Sequence, residues 1–166
     1  GNLRSAAMSG DAAVVRLLLD AGVDPNARFG DLPQSILSLA SVTSCQRQTD
    51  PKARDAVIAA LLAGGADPNA MDIGEVPLFV YVAQQCPRSV VEAFVAAGAR
   101  LDVRSPQGFT PLSMAIVVRN LDAAEALVDH GARLSPEAAR KLFPEAPTDA
   151  RLAALVEGAP APASAR

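Results

Sequence analysis

His130, Cys45 and Cys86 are the residues whose types best suit chemistry, since the chain has one histidine and two cysteines. An imidazole titrating near neutral pH serves as a general base or a metal ligand, and a thiolate serves as a nucleophile or a soft ligand. Either role needs partners. Nucleophilic catalysis requires a base within hydrogen-bond reach, and a zinc site requires clustered Cys and His ligands. Here two cysteines and one remote histidine make no such cluster. His130 instead closes an apolar helical run just before Gly131, where the helix dipole favours a protonated ring, so it is read as a cap. No glycine-rich phosphate loop follows a strand. The chain is read as non-enzymatic, with no cofactor and no metal.

Composition narrows the alternatives. The 166 residues make one ordinary domain, half of it apolar, mostly Ala, Val and Leu. Aromatics are 4% and Trp is absent, so the core is expected to be small and aliphatic, which suits closely packed helices. The net charge is -3 and the cations, nearly all Arg, are scattered singly. No basic block supplies the phosphate-neutralising footprint of a nucleic-acid binder. The longest near-apolar runs, such as residues 56–66, fall short of the roughly 20 residues that span a bilayer, so no membrane insertion is expected. The first residue is Gly1 rather than Met, as in a processed or partial chain.

The elements that carry these residues repeat. DAGVDPNA at residues 20–27 returns as AGGADPNA at 63–70, and its glycine recurs as Gly22, Gly65, Gly98 and Gly131, spaced 43, 33 and 33 residues apart. Each glycine follows an amphipathic run (VVRLLLDAG, VIAALLAGG, VVEAFVAAG, AAEALVDHG) with apolar residues at i, i+3 and i+4. A glycine there can take the left-handed conformation that ends a helix. A shorter helical run lies upstream of each. One such helix pair cannot bury its apolar face alone, whereas stacked copies can.

The segment 108–134, GFTPLSMAIVVRNLDAAEALVDHGARL, resembles the ankyrin repeat, with a G-x-T-P-L opening, an Ala-rich first helix and a Leu-rich second one. The resemblance covers about residues 1–134. It implies an all-α solenoid of helix-turn-helix units with β-hairpin fingers: four repeats at about 1–28, 29–71, 72–104 and 105–134. A degenerate C-terminal capping helix pair follows at 135–157, with a disordered tail at 158–166. The N-terminal unit is expected to present a polar cap through Arg4, Ser5 and Ser9. Ser135 is expected to cap one terminal helix and Thr148 the other. The family's usual histidine is replaced by Arg4, Ser38, Phe79 and Ser113. Unit 2 carries about ten extra residues, assigned to an insertion at 46–54 between its helices, with Asp50 and Pro51 starting the second helix.

The resemblance also implies where a partner protein binds: finger tips and the exposed flank of the first helices. Carried over, the tips are Arg28, Phe29, Met71, Asp72, Ile73, Arg104, Pro106, Gln107 and Phe109. The flank is Met8, Ser9, Val42, Thr43, Ala83, Gln84, Val117 and Val118. Apolar groups rimmed by Arg suit a protein interface.

Cys45 and Cys86 follow the first helices of units 2 and 3 at the same offset. Stacked helices lie about 8–10 Å apart, beyond the Cα separation of about 4.4–6.8 Å that a disulfide needs. Both turns are irregular, however, so a bridge and a pair of free thiols are both open. A bridge implies an oxidising compartment, periplasmic or secreted, and free thiols a cytoplasmic one. The expected function is binding of another protein by a monomer. Its variants are an immunity protein that neutralises a toxin, or a targeting or assembly module of a larger chain. The Ala- and Arg-rich, Lys-poor composition suggests a bacterial source.

Overall fold

The computed structural model describes residues 2–28 and 34–157; Phe29 and the tail at 158–166 lie outside the described residues. Gly22, Gly65, Gly98 and Gly131 have φ of 87°, 93°, 95° and 99°, a region that strains any residue with a Cβ. Each glycine amide bonds the carbonyl three residues back, and the next amide bonds the carbonyl five back: Leu19 and Leu18, Leu62 and Leu61, Val95 and Phe94, Val128 and Leu127. These paired bonds satisfy the last carbonyls of each second helix.

The helices pair as the repeat demands. Helices α1 (Leu3–Ser9) and α2 (Ala12–Asp20) form unit 1. In unit 2, α3 is a continuous run of Ile36–Ser38, the π-helical Leu39–Thr43 and Ser44–Gln46, paired with α4 (Pro51–Ala63). Unit 3 is α5 (Leu78–Gln85) with α6 (Arg88–Ala96), and unit 4 is α7 (Pro111–Val117) with α8 (Leu121–Asp129). Helices α9 (Pro136–Leu142) and α10 (Ala150–Glu157) complete the described chain. First helices stack in the order α1, α3, α5, α7, and second helices in the order α2, α4, α6, α8, α10. The core between the layers is aliphatic, with many buried alanines, among them Ala83, Ala115, Ala123, Ala124 and Ala126. Its aromatic pair is Phe79 on Phe94, stacked at 5.8 Å between centroids.

Helix starts follow their capping signals. Asn2, Asp11, Ser35, Asp50, Thr110 and Ser135 each accept the amide three residues on. The last start corrects an expectation: Asp149, not Thr148, caps α10, accepting the Arg151 and Leu152 amides at 2.9 and 3.2 Å. A carboxylate takes both amides and adds the charge that a helix N-terminus favours. These backbone bonds, then the Arg119 guanidinium 3.2 Å away, hold the Asp149 pKa below its ordinary value. Arg151 locks α10 onto α8 by reaching Asp122 at 2.6 Å and both oxygens of Glu125. Leu152 and Leu155 bury beneath it, whereas α9 buries nothing completely.

Two asparagines join the units. Asp24 and Asp67 each accept the amide two residues on at 2.8 Å, which turns Asn26 and Asn69 toward the next unit. Asn26 donates to the Gly65 carbonyl and accepts the Asp67 amide, both at 2.8 Å. Asn69 donates to the Gly98 carbonyl at 3.1 Å and accepts the Arg100 amide at 2.8 Å. Asp102 holds the third equivalent position. A carboxylate has no proton to give the Gly131 carbonyl, and Asp102 contacts Arg100 at 3.4 Å instead.

The fingers carry little β pairing: among the described residues it is an isolated Met71–Pro77 bridge. The extra residues of unit 2 lie between and within its helices, and the second helix starts at Pro51 with Asp50 as its cap, as expected. Gln46 ends α3, and residues 51–54 are the first turn of α4, which has 13 residues against nine in α2, α6 and α8. Finally, the outer side of unit 1 is not wholly polar. Val14 and Leu17 are 38% and 68% exposed, although their equivalents Val57 and Ala60, and Ala123 and Ala126, are buried. The stack buries those positions against the unit before, and unit 1 has none described before it.

Asn26→Ala and Asn69→Ala should each lower stability by about 1 kcal/mol in urea denaturation, while Asp102→Asn should raise it. Because the folded pKa of Asp149 is depressed, its contribution is present above the unfolded carboxylate value. It is lost as pH falls through the lower folded value. Acid titration followed by NMR should therefore release the Leu152 and Leu155 amides of α10 before those of α8.

Candidate functional site

The finger between α4 and α5 is built from its turn outward. Gly74 and Glu75 both have positive φ, 70° and 59°, the geometry of a tight hairpin turn. The Asp72 amide bonds the Val76 carbonyl at 2.8 Å, and the Leu78 amide bonds the Ala70 carbonyl at 2.9 Å. The Asp72 carboxylate points inward, accepting the Ser38 hydroxyl and the Ile73 amide. Asp72 is therefore buried, a correction to its expected place at the tip. Tyr81 donates to the Ile73 carbonyl at 3.3 Å. This leaves Met71 and Ile73 exposed.

The finger between α6 and α7 turns through Pro106 and Gln107. The Gly108 amide meets the Ser105 carbonyl at 2.8 Å, and the Ser105 amide meets the Phe109 carbonyl at 2.9 Å. Pro106 and Gln107 are exposed, as are Arg28 on the first finger and Arg104, which donates to the Gly108 carbonyl at 3.3 Å. Phe109 is half-buried, lining a small cavity of about 100 Å³ with Ala138 and Leu142 of the terminal segment.

On the first helices, Val117 and Val118 at the end of α7 are exposed, as is Met8 on α1. Thr43 is half-buried in the π-helical part of α3. Val42 is buried in the core, contrary to expectation. Ala83, at the same offset in the regular helix α5, is buried as well, again contrary to expectation, so this position of a first helix faces the core. Gln84 lies away from the fingers, in a groove it shares with Cys45 and Cys86.

The positions where the family's histidine is missing find other uses. Ser38 holds Asp72 across the unit boundary. Ser113 forms a reciprocal cap with Thr110. Phe79 fills the core. Arg4 is exposed on α1. His130 is exposed at the C-cap of α8. Among the described residues no group of three Cys, His, Asp or Glu is placed to hold a metal ion, and no helix is long and apolar enough to cross a membrane.

Cys45 and Cys86 are joined in the structure by a disulfide, with Cα atoms 5.2 Å apart. The irregular end of α3 and the extended Cys86 before Pro87 bring them inside the bridging range that regular layers exceed. Beside them, Asn120 at the start of α8 donates to the Ala83 and Cys86 carbonyls at 2.9 and 2.8 Å. Arg54, unremarked in the sequence because the first turn of a helix after polar residues reads as solvated, is buried against the same groove.

A family model for the ankyrin repeat matches residues 3–28, the span of α1, α2 and the turn after them. The chain is 34% identical over 129 residues to cyclin-dependent kinase 4 inhibitor B of Bos taurus, covering 76% of this chain and 88% of that relative. The inhibitor of the same name from Mus musculus is 33% identical over 128 residues, covering 75% and 88%. The Rattus norvegicus inhibitor matches to the same extent.

The bridge has a direct check. Protein purified from its native host under alkylating conditions without reductant should carry no modified Cys45 or Cys86 in peptide mass spectra. Alkylation at both would show free thiols.

Proposed function

Because the chain belongs to the ankyrin repeat family, we propose that it is a non-enzymatic module that binds another protein through its fingers and the exposed flank of its first helices. The observation that carries this is where large apolar side chains reach solvent. Among the described residues they are Met8, Val14, Leu17, Met71, Ile73, Val117 and Val118. Five of the seven sit on a finger or on a first helix and its cap; the second helices α4, α6 and α8 offer none. Exposed apolar groups with Arg28 and Arg104 at their rim match the composition of protein interfaces.

The named relatives support a finer form. They are called inhibitors of a cyclin-dependent kinase, and a rigid stack that covers part of its target is suited to inhibition. The chain is proposed to act in this stoichiometric way, as a monomer that masks a surface of one protein. Toxin neutralisation by an immunity protein would be the same act on a different target, and a targeting module of a larger chain would use the same surface.

Ile73→Asp combined with Val117→Asp tests the assignment. These side chains are 48% and 47% exposed, so the melting temperature should hold. Affinity capture from host lysate should recover one stoichiometric partner with the unaltered chain and lose it with the double variant. Recovery of the same proteins by both would overturn the finger surface.

A further inference from the structure

The edge opposite the fingers holds a groove of about 590 Å³ between the α3–α4 turn, the end of α5 and the start of α8. The disulfide forms part of its wall, and Thr49, Gln84 and Gln85 add neutral polar groups. Arg54 is the residue that structure alone does not account for. Its side chain is 7% exposed, and burying a guanidinium is costly unless its charge and donors are met. Only Asp55 meets them: Nε and Nη2 both reach Oδ1, at 2.9 and 2.8 Å. Nη1 donates no hydrogen bond among the described residues. Since no fully enclosed side-chain polar atom among them lacks a partner, Nη1 keeps some exposure, and Arg54 lines the groove.

The surroundings favour an acid. Asp122, the other charge in the groove, is held by Arg151 at 2.6 Å, and Asp50 spends its carboxylate on capping α4. Arg47 and Lys52, exposed on the same turn, have no ion pair among the described residues.

We propose that this groove is a second contact site, which binds an acidic peptide segment of a partner protein with one carboxylate on Arg54. Charge-assisted bonds to a guanidinium are short and directional, and the side-chain amides of Gln84 and Gln85 supply further donors. Arg47 and Lys52, next in sequence to the lining residues Gln48 and Pro51, draw the segment in. The site does not depend on the finger surface.

The test uses isotope-labelled, disulfide-intact protein, with hexaglutamate, hexaglutamine and succinate as probes. Hexaglutamate should shift the NMR signals of Thr49, Arg54, Gln84 and Gln85, and bind at least tenfold more tightly than hexaglutamine. Arg54→Gln should weaken it tenfold or more, and Ile73→Asp with Val117→Asp should leave it unchanged. Gln85→Glu, an exposed position that adds a like charge, should weaken it similarly and serves if Arg54→Gln fails to fold. Equal binding of hexaglutamine, shifts confined to Arg47 and Lys52, or full affinity in the variants would overturn the site. Succinate binding as tightly as hexaglutamate would overturn the peptide assignment in favour of a small carboxylate.

Discussion

Asn26 and Asn69 each hold one carbonyl and one amide of the following unit, and this two-point grip fixes how the units sit on one another. A helix pair of this size has no interior of its own, so its apolar faces are buried only by neighbours in register. The grip also lands on the residues that end the helix of the next unit, at Gly65 and Gly98. One polar side chain therefore completes a cap, aligns two units and sets the direction in which the intervening finger leaves. Where Asp102 replaces the asparagine, a cleft of about 350 Å³ lies between the last finger and the terminal helices.

The two edges of the stack are held differently. At the finger edge the grips are side chain to backbone and the tips stay free of the core, which leaves Met71 and Ile73 at the surface. At the opposite edge the disulfide and the Asn120 bonds tie α3, α5 and α8 together. A binding surface gains from a rigid back, because ordering it on contact then costs little conformational entropy. The C-terminal end is closed by the apolar face of α10, through buried Leu152 and Leu155, with Arg151 between Asp122 and Glu125 at its edge.

Much of this was legible in the residues. The repeated glycines, the DPNA turns and the capping signals are local features whose geometry is fixed within a few positions, and the resemblance to the ankyrin repeat follows from them. Positions that depended on register were less legible. Val42 lies in the core, as does Ala83 at the same place in unit 3. Asp72 is buried because Ser38, one unit away, offers it a proton. Asp149 displaced Thr148 as a cap because both are competent and only the chain path decides. Arg54 could not be singled out, since nothing beside it in sequence announces the groove. The cysteines stood between two outcomes that differ by a few ångströms of irregular backbone.

The Cys45–Cys86 bridge also changes how the molecule would bear a load. Its cysteines lie 41 positions apart in sequence, with all of α4 and α5 between them. Pulled by its two ends, a stack of this kind comes apart unit by unit and lengthens as it does so. In this chain the tension would pass from sulfur to sulfur and bypass the enclosed segment. About 140 Å of extended chain, at roughly 3.3–3.6 Å per residue, would stay hidden from the force. Units 2 and 3 would then yield as a single shortened link, with the units on either side giving way around it.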